Sequence, residues 1–256
     1  MSTTALHVHR SPALLAAALA ARLVSRVVDA QAARGTAGVV LTGGSTGIAV
    51  LAALNASPAR DAVDWERLDV WWGDERFLPA GDPDRNETQA RRALLDHVRI
   101  PPDRVHPFPA ADGGLDAEEA AERYAAQLAG AARPGHGLTH FDVVMLGVGP
   151  DGHVASIFPE YPAAYEEERL VIAVHGSPKP PPVRLSLTFP ALNSADEVWL
   201  AATGAEKAAA VGLALAEAGP VQVPAAGIHG STLTLWSLDR AAAAHVPPAL
   251  RDQRWK

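Results

Sequence analysis

A chain that carries FDVVMLGVGPDGHVASIFPE at residues 141–160 has few folds open to it. Residues 142–146 form a short apolar run rich in β-branched side chains, as expected of a strand buried on both faces of a parallel sheet. Gly147 and Gly149 break that run, and Pro150-Asp151-Gly152 makes a tight turn. His153 follows at once. A carboxylate and an imidazole two residues apart at the carboxyl end of a central strand stand where open α/β sheets place their ligands. Asp151 and His153 are therefore the candidates for chemistry.

Two plainer readings compete. Residues 147–152 spell G-x-G-x-x-G, the dinucleotide fingerprint, which needs a full helix after the glycines and an acidic residue ending the next strand. Pro159 stops any helix after about two turns. The next strand candidate, residues 170–174, runs into His175, with glutamates at 166–168 lying before it. His153 could also be an ordinary loop residue, but Asp151 beside it and the space cleared by glycines favour catalysis.

At 256 residues, with no internal repeat and no clear boundary, the chain reads as a single domain over residues 1–256. It has no cysteine, which removes disulfides, thiolate nucleophiles and Cys-based metal sites. With no Cys-based ligand set, neither a metal nor any other cofactor is expected. A formal charge of −7 argues against nucleic acid as a partner and obliges any anionic ligand to meet a local cluster of Arg and Lys. Residues 13–20, ALLAAALA after Arg10, imitate a signal peptide. Ser11 as N-cap, Pro12 at the first helical position and a turn pattern reaching Gly35 make a surface helix the better reading. No stretch is long enough to span a bilayer, so a cytoplasmic protein without a membrane partner is expected, as a monomer or weak dimer.

Along the chain, residues 6–9 read as a first strand, with His7 and His9 on one solvated face. Residues 38–41 are a buried strand that leads into TGGSTG (42–47) and a helix over 48–54. Strand, glycine-rich loop and helix N-terminus together bind phosphate: Gly43 and Gly44 let backbone N–H groups point inward, and Ser45 and Thr46 add hydroxyls. The Gly-Lys-Ser/Thr ending of a Walker loop is missing. A strand at 68–72 ends in Gly73-Asp74-Glu75-Arg76, three charges that are costly there unless they face a site, the plainer reading being a solvated loop. Arg76 has the shape to grip phosphate with two parallel bonds. Asn86 is expected to cap a helix running to residue 98, with Gln89 in the capping-box position, and Asp116 with Glu119 to open another in the same way. Strands at 170–174 and 183–187 flank a proline run that holds Lys179 at low entropic cost. After a strand at 197–201, Lys207 in the first turn of a helix opposes the helix dipole, which suits it to an anion. A last strand at 231–237 and a short helix at 238–244 close the chain.

Four of these motifs together resemble the 6-phosphogluconolactonases: TGGSTG (42–47), WWGDERFLP (71–79), GVGPDGHVASIFP (147–159) and SPKPPPVRLSLTFP (177–190). TGAEKA (203–208) agrees, and the likeness runs in order over nearly the whole chain. It implies a modified Rossmann-like α/β fold with a mostly parallel central sheet flanked by helices. It implies hydrolysis of a sugar phosphate lactone, 6-phospho-D-glucono-1,5-lactone, in the oxidative pentose phosphate pathway. Carried onto this sequence, Gly43, Gly44, Ser45, Arg76, Lys179 and Arg184 hold the phosphate end; Thr46, Asp74 and Lys207 are further candidates for binding the substrate or its phosphate. His153 acts as general base on water and Asp151 orients it. Whether Asp74 or Glu75 touches the sugar stays open. The wider superfamily includes the glucosamine-6-phosphate deaminases, which resemble this chain at the glycine loop, Asp74 and Asp-Gly-His. They carry a Glu-Pro pair where this chain has Ile157-Phe158-Pro159. A non-catalytic sugar-phosphate sensor is a third reading, but it needs a DNA-reading module, and the N-terminal helix has no helix-turn-helix partner. Nothing provides a nucleophile elbow, so direct attack by water is expected rather than an acyl-enzyme.

Overall fold

Short apolar strands that end in glycine or small polar residues alternate with helices through most of this chain, which dictates a layered α/β architecture. The computed structural model describes residues 2–251. In chain order the elements are β1 (Thr3–His9), α1 (Pro12–Arg34), β2 (Ala37–Leu41), α2 (Gly44–Ala56), β3 (Leu68–Trp72), β4 (Asp74–Arg76), α3 (Asn86–Ala93) and α4 (Ala117–Gly130). There follow β5 (Val143–Gly147), β6 (Val171–Val174), β7 (Arg184–Leu187), α5 (Phe189–Leu192), β8 (Glu197–Ala202), α6 (Ala208–Leu215), β9 (Leu233–Asp239) and α7 (Pro248–Arg251).

Six strands, in the order β1-β9-β8-β5-β2-β3, make one wholly parallel sheet flanked by helices. β2 is buried at every position, which is why it reads as an unbroken apolar run rather than an alternating one. From β2 the chain moves outward to β3, whereas from β5 it moves the other way through β8 to β9. The strand order therefore reverses between β2 and β5. The loops leaving the carboxyl ends of these two strands diverge and open a crevice.

A second sheet, β4-β7-β6, is antiparallel. Residues 74–76, read from the sequence as the charged end of the strand at 68–72, form a separate strand, because β7 supplies a partner with Asp74 opposite Ser186 and Arg76 opposite Arg184.

Local signals explain most of the helices. Ser11 Oγ accepts from Leu14 N at 3.3 Å, and Gly35 ends α1 at φ 82°, a left-handed value that suits glycine. Asp116 and Glu119 form both halves of the expected capping box. The box expected at Asn86 does not form: Arg85 is the N-cap, the helix ends at Ala93, and Gln89 Nε2 donates to Pro83 O instead. The reason is tertiary. Glu75, from β4, takes the free N–H groups of this helix, so Asn86 has no cap to make. The final short helix is also displaced: Leu238 and Asp239 remain in β9, paired with β1 and β8, and a single 3-10 turn follows over Ala242–His245. No helix among the described residues is long and apolar enough to cross a membrane.

Candidate active site

The crevice between β2 and β5 is the cleft to which the sequence motifs converge. It holds about 680 Å³ of space open to solvent. Its walls include Gly43, Gly44 and Ser45 from the junction of β2 with α2, and Gly147, Gly149 and His153 from the end of β5 and the turn after it. Asp74, Arg76 and Arg184 reach it from the small sheet, Lys179 from the proline segment, and Lys207 from the turn before α6.

The turn after β5 is built to present His153. Gly149 N donates to His153 O at 2.9 Å, Gly152 takes φ 84°, and Ala155 is held at φ 47°, an uncommon value for a residue with a side chain. This folds Asp151 back on its neighbour, with Asp151 Oδ1 2.5 Å from His153 Nδ1. A carboxylate can only accept, so Nδ1 carries the proton and Nε2 is left as the free base. Asp151 lies behind the imidazole and does not line the cleft. Lys179 Nζ stands 3.3 Å from His153 Nδ1 and 3.7 Å from Asp151 Oδ1, so it serves the pair as a neighbouring cation. Burial raises the Asp151 carboxyl, but the bond to His153, its charge and that of Lys179 outweigh this and bring it down to about 2. On the other side Phe158 packs its ring 4.7 Å from that of His153, and Ile157 and Phe158 are buried. The positions where the deaminases carry a Glu-Pro pair are thus filled with apolar side chains.

Four basic side chains face one carboxylate, Asp74, across this cleft. Arg76 and Arg184 are direct cross-strand partners, an arrangement of like charges that is unfavourable until an anion lies between them. Burial pulls the Arg184 guanidinium and the Lys207 ammonium down from their ordinary values; Asp74 and Glu206 respectively oppose this, while the charges of Arg76 and Lys179 add to it. A bound anion would relieve both. The glycine loop contributes in the same sense: the N-cap of α2 is Gly43, which offers no capping side chain, so first-turn N–H groups remain for a ligand.

Some expected residues stand differently. Thr46 does not line this cleft; its hydroxyl lies 3.0 Å from that of Thr203, in a neighbouring groove shared with Pro12 and Ala49. Arg184 lines the cleft, but much of its guanidinium is committed. Nε donates to Pro181 O at 3.3 Å, and Nη2 to Lys179 O and Pro180 O at 3.1 and 2.8 Å. It therefore staples the proline segment that carries Lys179. Between the two acidic residues after β3, Asp74 lines the cleft and Glu75 is fully buried on the other face. Sequence reasoning missed Asn86 and Ser156. Asn86 Nδ2 donates to Asp74 O at 2.8 Å, and Ser156 Oγ to Asp74 Oδ2 at 2.7 Å, so together they fix the carboxylate. The one available signal was the side-chain amide of Asn86, read as a helix cap.

Comparison with known proteins agrees with this geometry. Residues 10–236 match the family described as glucosamine-6-phosphate isomerases/6-phosphogluconolactonase. A 6-phosphogluconolactonase of Streptomyces coelicolor is 60% identical over 252 residues, 97% of each chain. One from Mycobacterium tuberculosis is 50% identical over 236 residues, 91% of this chain and 95% of the other. Among solved structures, the 6-phosphogluconolactonase of Trypanosoma brucei superposes with a TM-score of 0.82 at 30% identity, covering 96% of this chain and all of that one.

Proposed function

The chain belongs to the glucosamine-6-phosphate isomerase/6-phosphogluconolactonase family, and from that premise we propose that it hydrolyses 6-phospho-D-glucono-1,5-lactone to 6-phosphogluconate. The observation that carries this reading is the Asp151–His153 pair opening onto a cleft with four basic side chains. The phosphate lies among Arg76, Arg184, Lys207 and the N–H groups of Gly44 and Ser45, which leaves the lactone carbonyl for His153. Nε2 of His153 takes a proton from water as the water oxygen bonds to the carbonyl carbon. The tetrahedral oxyanion then collapses, the ring C–O bond breaks, and the imidazolium returns its proton to the departing ring oxygen. Asp151 keeps the imidazole in the tautomer this needs, and Lys179 holds the negative charge of Asp151 in place. A lactone is an activated ester, so a base contributing about 10²–10⁴-fold suffices together with one or two oxyanion donors contributing about 10²–10³-fold each. The substrate is a phosphorylated sugar, which suits a cytoplasmic enzyme. The reading requires no partner subunit, consistent with a monomer or weak dimer.

Purified protein should accelerate loss of freshly generated 6-phosphogluconolactone well beyond its spontaneous rate and release no ammonia from glucosamine 6-phosphate. Ammonia release without lactonase activity would reverse the assignment.

The two arginines should behave differently. Arg76→Ala removes a grip common to ground and transition states, so it should raise KM and lower kcat/KM about ten- to a hundredfold, from a charged hydrogen bond worth roughly 1.5–3 kcal/mol. Arg184→Ala also frees the segment carrying Lys179, so kcat should fall along with the rise in KM. Steady-state kinetics on the two variants separates these outcomes. Equal turnover of unphosphorylated gluconolactone by the wild type would rule out the phosphate grip.

A further inference from the structure

We propose that Glu75, which never reaches the cleft, is a positioning residue that sets the strength of the phosphate grip; this rests on the reading of Arg76 as part of that grip. Alternation along β4 puts Asp74 and Arg76 on the cleft side and Glu75 on the opposite face, at 0% exposure. There its carboxylate accepts three backbone N–H bonds. Oε1 takes Arg76 N at 2.8 Å and Asn86 N at 2.6 Å, and Oε2 takes Glu87 N at 2.9 Å. The last two are the opening N–H groups of α3, whose N-cap Arg85 makes no side-chain cap of its own. A carboxylate from a neighbouring strand thus does the work of a helix cap and neutralises the positive end of the helix.

The consequence for the cleft follows from what is attached to those N–H groups. Arg76 Nη1 donates to Asp84 O at 2.5 Å, and Asp84 lies two residues before Asn86. Glu75 therefore holds Arg76 at both ends: directly through its backbone N–H, and through the Asp84–Asn86 segment at its guanidinium. The same anchor fixes Asn86, whose amide holds Asp74 and whose Oδ1 lies 1.9 Å from where a Cβ on Gly43 would stand. The phosphate loop, the cleft carboxylate and Arg76 are in this way referred to one buried group. Arg85, buried to 1% exposure with Nη2 3.8 Å from Glu75 Oε2, compensates the charge and ties in the loop through Leu78 O and Phe108 O. Burial pushes the Glu75 carboxyl up to about 7, while Arg85 and the three N–H donors act in the opposite direction.

Glu75→Gln keeps the volume but sets an amide N–H₂ against backbone N–H groups, and Glu75→Asp keeps the charge on a shorter stem. For Glu75→Gln, KM for the phosphorylated lactone should rise about tenfold with kcat held within about twofold. Turnover of unphosphorylated gluconolactone should fall much less than that of the phosphorylated lactone, and Glu75→Asp should show a smaller rise in KM. In an Arg76→Ala background the further effect of Glu75→Gln should be clearly smaller than in the wild type, because one of the groups it positions has gone. Additive losses in that double variant, equal losses of kcat on both lactones, or an unchanged KM would overturn the proposal. So would loss of the cooperative thermal transition in both Glu75 variants, which would make Glu75 a residue of the core alone. A wild type without lactonase activity is a separate outcome, and would count against the function rather than this role.

Discussion

Replacing His153 by Asn should lower kcat about 10²–10⁴-fold and leave KM nearly unchanged. The proton that His153 removes from water moves only as the transition state forms, so losing the base subtracts nothing from substrate binding. The replacement is conservative for structure. An Asn amide can still donate to Asp151 Oδ1, as Nδ1 does at 2.5 Å, and the site keeps its buried support from Phe158. It cannot accept a proton near neutral pH. Initial rates, corrected for spontaneous lactone hydrolysis, should therefore collapse while the melting temperature moves little. A variant that retained most of its kcat would transfer the role of base to a carboxylate. Asp74 would be first in line, because it lines the cleft and Asp151 does not.

How much of this was legible in the sequence depends on how far each feature reaches along the chain. The Asp151–His153 pair was readable because both partners lie in one turn, two residues apart. The strand over Leu68–Trp72 and the Asp116–Glu119 box were readable for the same reason, since apolar runs and caps are written in neighbouring residues. β4 was not. Its three charged residues look like a solvated loop, and they become a strand only when β7 arrives from 110 residues downstream to pair Arg76 with other groups of the cleft wall. The misplaced cap at Asn86 has the same origin, because Glu75 supplies the acceptor from 11 residues away and frees the amide for Asp74. Lys179 was expected at the phosphate, yet it approaches His153 across 26 residues, and nothing local to either residue specifies that contact. Composition and motif order placed the cleft; the division of labour among its cations is a property of the folded chain.

Gly149→Ala should be nearly as damaging as loss of the imidazole itself, with kcat down about 10²–10³-fold. A Cβ at this position would stand 2.0 Å from His153 Nδ1, 2.1 Å from Cε1 and 2.5 Å from Asp151 Oδ1, inside the very hydrogen bond that defines the pair. Backbone strain is not the cause, since Gly149 is absent from the glycines with positive φ and an alanine can adopt its conformation. Where the backbone permits it, Gly→Ala stabilises by about 0.4–1 kcal/mol through the unfolded chain, so the clash and this gain oppose one another in the melting temperature. Pro150 and Asp151 of this turn are exposed, so relief of the clash by displacing the imidazole should sacrifice geometry rather than folding. Activity and stability should therefore part company: a near-native thermal transition with a deep loss of kcat. In the Gly149→Ala, His153→Asn double variant the two losses should not add, because each removes the same base from the same place. If Gly149→Ala kept half of the wild-type kcat, or if the two effects multiplied, the Asp151–His153 contact would be a feature of the turn and not of the chemistry.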